Sequence, residues 1–333
     1  MNFSDTTVLL TGGTGTFGKA FLRLCPSFKK TIIFSRDEFK QHNLQIELIN
    51  KFGSEYVDKK FRFFLGDVRD IERLRLAFKD VDVIVHAAAL KHVPFCEYNP
   101  GEALLTNVTG TKNVCDVAIE RGVKTVICLS TDKAVEPINF YGSTKMLAER
   151  YAIHSNVYAA GATAIACVRY GNIIGSRGSI VETFRNQGSD KPFDITHPEM
   201  TRFWMHIDDA VKMVNWSISH VQGGEVIVPN IRACSLVALA RTIDIARAHR
   251  IVGIRPGEKL HEQLIHRREH ENMVMTTPSD SLPYNVILPE TDGFTALRQH
   301  YLGLSRLTHR KSYFSNDPDI QMTSTEIYQA SIS

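Results

Sequence analysis

Short apolar and β-branched runs recur through the first half of the chain, at residues 7–10, 31–34, 61–65, 83–85, 125–129 and 164–168. They are continuous rather than alternating, which predicts parallel strands covered on both faces. Between them, apolar residues at helical spacing predict helices over 17–24, 44–52, 71–78 and 113–121. The β-α-β-α succession predicts an α/β fold, a Rossmann doubly wound parallel sheet, over residues 1–170. Past Tyr170 glycine and proline interrupt the pattern, and helical spacing returns at 207–221 and 236–248. These residues, 171–333, predict a smaller lobe packed at the carboxyl ends of the strands and giving strands back to the sheet. From about residue 269 the chain is polar, carries Pro278, Pro283 and Pro289, and yields no readable pattern.

Composition narrows the class. The 333 residues are 43% hydrophobic and 23% charged, a globular balance, with a net charge of +3. That charge is too small and too evenly mixed to point to nucleic acid, yet it does not oppose an anionic small substrate. The longest apolar stretches fall short of the ~20 residues a membrane helix requires. The first residues, Met1-Asn2-Phe3-Ser4-Asp5, lack a signal-peptide pattern, so a cytoplasmic location is expected. The cysteines at 25, 96, 115, 128, 167 and 234 form no Cys-x-x-Cys pair and predict buried reduced thiols.

The candidate chemistry begins at the first strand-to-helix junction. Gly12-Gly13-Thr14-Gly15-Thr16-Phe17-Gly18 has the Gly-x-x-Gly-x-x-Gly spacing of a dinucleotide turn, where backbone N–H groups approach a pyrophosphate at a helix start. The second strand ends Ser35-Arg36-Asp37. Arg36, with Ser35, suits a 2′-phosphate and predicts NADP in preference to NAD; the alternative leaves Arg36 solvated and puts Asp37 on the ribose. Asp67 of Gly66-Asp67-Val68 either accepts from an adenine amine or caps the next helix.

Tyr141 and Lys145 lie one helical turn apart just after the fifth strand, a placement for a phenol that takes a substrate hydroxyl proton. That strand ends Ser130-Thr131-Asp132-Lys133. A hydroxyl is enough for simple dehydrogenation or epimerisation, whereas the adjacent acid and amine suit a reaction that also removes a carbon-bound proton and expels a hydroxyl.

The motifs Thr-Gly-Gly-Thr-Gly-Thr-Phe-Gly, Ser35-Arg36-Asp37-Glu38, Gly66-Asp67-Val68-Arg69-Asp70, Ala87-Ala88-Ala89-Leu90-Lys91-His92-Val93-Pro94, Ser130-Thr131-Asp132-Lys133-Ala134, Tyr170-Gly171-Asn172, Thr201-Arg202-Phe203-Trp204 and Arg255-Pro256-Gly257-Glu258-Lys259-Leu260-His261-Glu262 together resemble one family. It is the inverting UDP-N-acetylglucosamine 4,6-dehydratases of pseudaminic acid biosynthesis, within the extended short-chain dehydrogenase/reductases. The resemblance runs from about residue 5 to 266.

The resemblance implies cofactor contacts from the glycine turn, Ser35, Arg36, Asp37, Lys40, Asp67, Val68, Ala87, Ala88, Lys91, Tyr141 and Lys145. It implies substrate contacts from Lys91, Asn172, Arg177, Thr201, Arg202, Arg255 and Glu258, and catalysis by Thr131, Asp132, Lys133, Tyr141 and Lys145. Tyr141 would take the 4-hydroxyl proton. Lys133, its pKa lowered by burial and by Lys145, would remove the proton on carbon 5, and a protonated Asp132 would release the 6-hydroxyl as water. The product implied is UDP-2-acetamido-2,6-dideoxy-β-L-arabino-hex-4-ulose, made by a homo-oligomer joined through residues 105–121 and 142–160. The retaining, membrane-bound dehydratases carry Met in place of Tyr141. A 4-epimerase would use Thr131, Tyr141 and Lys145 and leave Asp132 and Lys133 without a task, and an NADP-sensing protein would lack the Tyr–Lys pair.

No metal is expected. His261-Glu262-Gln263-Leu264-Ile265-His266 is one residue longer than a zincin motif, so on a helix its histidines would diverge.

Overall fold

The computed structural model describes residues 2–24, 27–176, 180–186, 191–290, 295–302, 306–307 and 313–332. The six apolar runs become β1 (Thr7–Thr11), β2 (Lys30–Ser35), β3 (Phe61–Leu65), β4 (Val83–His86), β5 (Thr125–Thr131) and β6 (Ala164–Tyr170). They pair in parallel in the order β3-β2-β1-β4-β5-β6, the order of a Rossmann sheet. Burial explains why these runs do not alternate: Val8, Leu9, Leu10, Val83, Ile84, Val85, Val126 and Ile127 are all fully enclosed between helical layers.

Past Tyr170 the chain forms β7 (Asn172–Ile173), β8 (Phe193–Ile195), β9 (Thr201–Met205), β10 (Val226–Pro229), β11 (Arg232–Ser235), β12 (His249–Ile251), β13 (Gln263–Ile265), β14 (Met273–Thr276), β15 (Tyr284–Ile287), β16 (Arg306–Leu307) and β17 (Tyr313–Phe314). β10 joins β6 in parallel, and β15, β14 and β16 extend the sheet antiparallel to ten strands. The polar tail therefore carries three strands of the main sheet. Of the other short strands, β8, β9 and β11 give Phe193, Ile195, Trp204 and Cys234 to a second apolar cluster with Phe184 and Leu239, whereas β13 and β17 pack on the main core.

Three elements differ from the sequence expectation. The helix expected over 236–248 runs Leu236–Ile243, because the Asp244 carboxylate accepts from Ala246 N and draws the backbone away from helical pairing. The helix expected from 44 starts at Glu38, where Asp37 caps it by accepting from Lys40 N. His261–His266 is not helical but passes through β13.

Candidate active site

β1 and β4 are neighbours whose following segments run to opposite sides of the sheet, so a crevice opens beyond their carboxyl ends. A cleft of about 700 Å³ occupies it. Its lining brings together the glycine turn, Ser35, Arg36, Asp37, Lys40, Val68, Ala87, Ala88, Lys91, Thr131, Lys133, Tyr141, Lys145 and Asn172.

The glycine turn is shaped for an anion. Gly12 has φ +67°, and a Cβ there would lie 2.9 Å from Ala88 N. A Cβ on Gly18 would lie 2.3 Å from Gly13 O, so the helix Thr16–Leu24 can start against the turn only with glycine at that position. The Thr11 hydroxyl accepts from Ala87 N and Ala88 N at 3.1 and 3.2 Å, which holds the β4 end beside the turn. Bare backbone at a helix start, open to a cleft of this size, fits a dinucleotide pyrophosphate.

At the end of β2 the carboxylate of Asp37 is committed to capping its helix and to Lys40 Nζ at 2.8 Å. Arg36 is half-exposed and reaches Asp67 at 3.5 Å. Ser35 Oγ accepts from the buried Gln41 side chain. Asp67 is held by Arg69 through Nε and Nη2 at 2.9 and 2.6 Å, and the cap of the following helix Ile71–Ala77 is Asp70 instead.

Tyr141 and Lys145 project from the helix Phe140–His154. Asn139 caps that helix by accepting from Gly142 N at 2.7 Å. Lys145 Nζ donates to Leu129 O at 2.6 Å, and burial lowers its pKa. Burial also pushes the Tyr141 phenol up to about 12, against the partial relief of the Lys133 charge. The chain alone thus keeps this phenol protonated.

The turn after β5 carries the acid–amine couple. Lys133 Nζ lies 3.1 Å from Asp132 Oδ1 and 3.2 Å from Glu262 Oε1. Thr131 Oγ1 donates to Asp132 Oδ1 at 2.9 Å. Asp132 is fully buried and its Oδ2 has no hydrogen-bond partner; a Cβ on Gly171, which lines the cleft, would lie 3.3 Å from that oxygen. Burial raises the Asp132 pKa, and the Glu262 charge adds to the effect although Lys133 opposes both. The expectation for Lys133 is corrected: burial draws its pKa down, but Asp132 and then Glu262 outweigh burial and hold it above the ordinary value. Two carboxylates at about 3 Å stabilise the ammonium.

Four residues expected at a substrate do not line the cleft. Thr201 Oγ1 is shared between His261 Nδ1 at 2.8 Å and Ser315 Oγ at 2.6 Å. Arg202 is buried and donates to Thr201 O and Leu260 O at 2.7 and 3.2 Å. Arg255 N donates to the Glu258 carboxylate at 3.2 Å in an exposed turn. Arg177 lies outside the described residues.

Two residues in the site were not singled out by sequence. Glu262 is 2% exposed and reaches Lys133 from β13's leading edge; the charged run 255–262 held the only signal. His86 lies buried between Thr11 Oγ1 at 2.8 Å and Thr111 Oγ1 at 3.0 Å, at the foot of the Ala87–Ala88 segment. Among the described residues no cluster of three His, Cys, Asp or Glu has metal-binding geometry, and no helix is long and apolar enough to cross a membrane.

Comparison with known proteins places this arrangement. A family model described as polysaccharide biosynthesis protein matches residues 8–279. A relative from Campylobacter jejuni strain 81-176, named UDP-N-acetylglucosamine 4,6-dehydratase (inverting), is 44% identical over 84% of this chain and 85% of its own. A Rickettsia felis relative named UDP-glucose 4-epimerase is 40% identical over 80% of each chain. The X-ray structure of Pen from Bacillus thuringiensis superposes with a TM-score of 0.85 at 31% identity, covering 99% of this chain and 98% of that one.

Proposed function

The chain belongs to the polysaccharide biosynthesis protein family, and from that premise we propose that it is an NADP-dependent UDP-N-acetylglucosamine 4,6-dehydratase that inverts carbon 5. The observation that carries the reading is Lys133, which lines the same cleft as Tyr141 and Lys145 and is paired at 3.1 Å with a buried acid. A 4-epimerase needs the tyrosine and lysine of the helix but has no use for that couple.

NADP, when bound, accepts a hydride from carbon 4 of the sugar and later returns one to carbon 6. Tyr141 takes the 4-hydroxyl proton, helped by Lys145 and by the positive charge a nicotinamide ring brings beside a phenol otherwise held near 12. The 4-ketone acidifies the proton on carbon 5. Moving one proton over the 3.1 Å from Lys133 to Asp132 turns ammonium and carboxylate into a neutral amine and a neutral acid without changing the net charge. The amine then removes the carbon 5 proton, and the acid protonates the departing 6-hydroxyl. Gly171 lines the cleft, and a Cβ there would lie 3.3 Å from the buried, unpartnered Asp132 Oδ2, so the acid stands directly behind that wall. Reprotonation at carbon 5 from the opposite face gives UDP-2-acetamido-2,6-dideoxy-β-L-arabino-hex-4-ulose, the first intermediate of a pseudaminic acid-type route.

With the Asp37 carboxylate taken up by its helix cap and by Lys40, the half-exposed Arg36 remains at the ribose end of the cleft, which supports NADP over NAD. Lys91 and Asn172 are the proposed sugar-nucleotide contacts in the cleft, with residues 171–333 forming the substrate lobe. A homo-oligomer is proposed through residues 105–121 and 142–160, where Leu105, Leu147 and Tyr158 stand exposed. Incubation with UDP-N-acetylglucosamine in heavy water, followed by proton NMR, tests the reading. A 4-keto-6-deoxy product with deuterium at carbon 5 supports it; a 4-epimer that retains its 6-hydroxyl overturns it.

A further inference from the structure

Lys133 has a second carboxylate partner that the dehydration chemistry above does not use. Glu262 arrives from a segment more than a hundred residues further along the chain, is 2% exposed, and has one oxygen, Oε2, without a hydrogen-bond partner. Its other oxygen lies 3.2 Å from Lys133 Nζ and 3.8 Å from Arg202 Nε. The site therefore holds two buried carboxylates facing one ammonium, and their surroundings are unequal. Glu262 faces Lys133 and Arg202 and also feels the charge of Lys259. Among the described residues Asp132 forms its ion pair with Lys133, shares the charge of Lys259 more distantly, and is close enough to Glu262 to feel its negative charge.

We propose that Glu262 is a positioning residue of the dehydration couple: it holds Lys133 beside Asp132 and itself stays ionised, so that the proton leaving Lys133 passes to Asp132 and not to Glu262. When two acids share a site, the one with more cationic neighbours ionises and the other retains the proton. The pKa directions agree: burial raises Asp132, while Lys133, Arg202 and Lys259 together overcome burial and lower Glu262. Glu262 has a second effect after proton abstraction. The amine that has taken the carbon 5 proton becomes an ammonium 3.2 Å from a fixed negative charge, so the abstraction step is favoured and the lysine stays aimed at the cleft.

The inference rests on the dehydratase reading, and the test separates the two. Turnover of UDP-N-acetylglucosamine is measured across pH for the unaltered enzyme, Glu262→Gln and Glu262→Asp, with NADP binding as a check on folding. Failure of the unaltered enzyme to release water from this substrate would reject the dehydratase reading itself. Given that activity, Glu262→Gln should lower kcat roughly ten- to a hundredfold with KM nearly unchanged, because Glu262 does not line the cleft. Removing its charge lets Asp132 lose its proton more easily, so the alkaline limb should move to lower pH by about one unit. Glu262→Asp should restore part of both. A pH profile that stays in place, with equal loss in both variants, would overturn the proposal. If neither variant binds NADP, the infrared spectrum of the unaltered enzyme, followed from neutral to acidic pH, decides. As pH is lowered, a first protonated-carboxyl band that is lost in Asp132→Asn supports the proposal, and a first band that survives in Asp132→Asn overturns it.

Discussion

Asn139 Nδ2 donates to the carbonyl of Gly257 at 2.7 Å, linking positions 118 residues apart, while its Oδ1 caps the helix that carries Tyr141 and Lys145. One side chain therefore sets where that helix starts and ties it to the turn leading toward Glu262. The same turn reaches back again through Lys259, whose Nζ donates to Val135 O at 2.6 Å, just beyond the Asp132–Lys133 couple. The two sides of the active site are coupled through the backbone of their connecting turns.

Replacing Asn139 with alanine removes the cap and leaves Gly257 O without this donor. The expected cost is about 1–3 kcal/mol of stability, measured as a shift in urea midpoint, with kcat/KM falling further than stability alone accounts for. A midpoint unchanged within error would show that water replaces both bonds.

Lys133→Ala should abolish water release and deuterium entry at carbon 5 while NADP still binds with near-normal affinity, since the glycine turn and Arg36 are untouched. Slow hydride transfer at carbon 4 should persist and be visible as transient NADPH absorbance. Full dehydration activity in this variant would remove Lys133 from the mechanism.

Tyr141→Phe should reduce turnover by about 10²–10⁴-fold, the usual range for loss of a positioned proton-transfer group. Ultraviolet titration of the unliganded enzyme, read as the difference between it and the Phe variant, should place this phenol near 12. Adding NADP⁺ should move it to lower pH, because a cation beside the ring favours the phenolate. A phenol that titrates unchanged with cofactor bound would deny it the part of base.

Arg36→Ala should weaken NADP at least about tenfold and leave NAD affinity almost unaltered, because only the 2′-phosphate distinguishes the two. Equal losses for both cofactors would place Arg36 elsewhere.

His86 is enclosed between two threonines, and burial followed by the Lys145 charge brings its pKa down to about 3. Its neutral form is required by the fold, so this contribution is complete above the ordinary value of 6.5 and is lost as pH falls from there toward 3. At full loss it amounts to roughly 5 kcal/mol as an upper limit. Urea midpoints followed from pH 7 to 4 should decline more steeply for the unaltered chain than for His86→Gln. Parallel declines would show that His86 is protonated inside the fold.

The sheet and the cofactor turn were legible because their signals are local. A buried parallel strand must be apolar throughout, and a glycine turn at a helix start follows from backbone sterics alone, so β1 to β6 and Gly12 to Gly18 could be read without tertiary information. Tyr141, Lys145, Asp132 and Lys133 were legible for the same reason: each pair lies within one turn of backbone, beside a strand end that the apolar pattern already located. What distance in sequence hid, only folding decided. Glu262 meets Lys133 and Arg202 through contacts that no local spacing encodes, and its charge adds to the larger one of Asp132 in reversing the Lys133 shift expected from burial and Lys145. The last strands of the sheet, β14 to β16, are antiparallel additions whose short runs lie in a polar tail. Their pairing with β10 through β15 is a long-range event, so composition near them carries almost no trace of it. Thr201 and Arg202 are named in sequence by their motif alone, and only the fold brings neighbours from 60 and 114 residues away onto the Thr201 hydroxyl. Electrostatics and hydrogen-bond commitment depend on who arrives from far along the chain, and that is set by the tertiary structure.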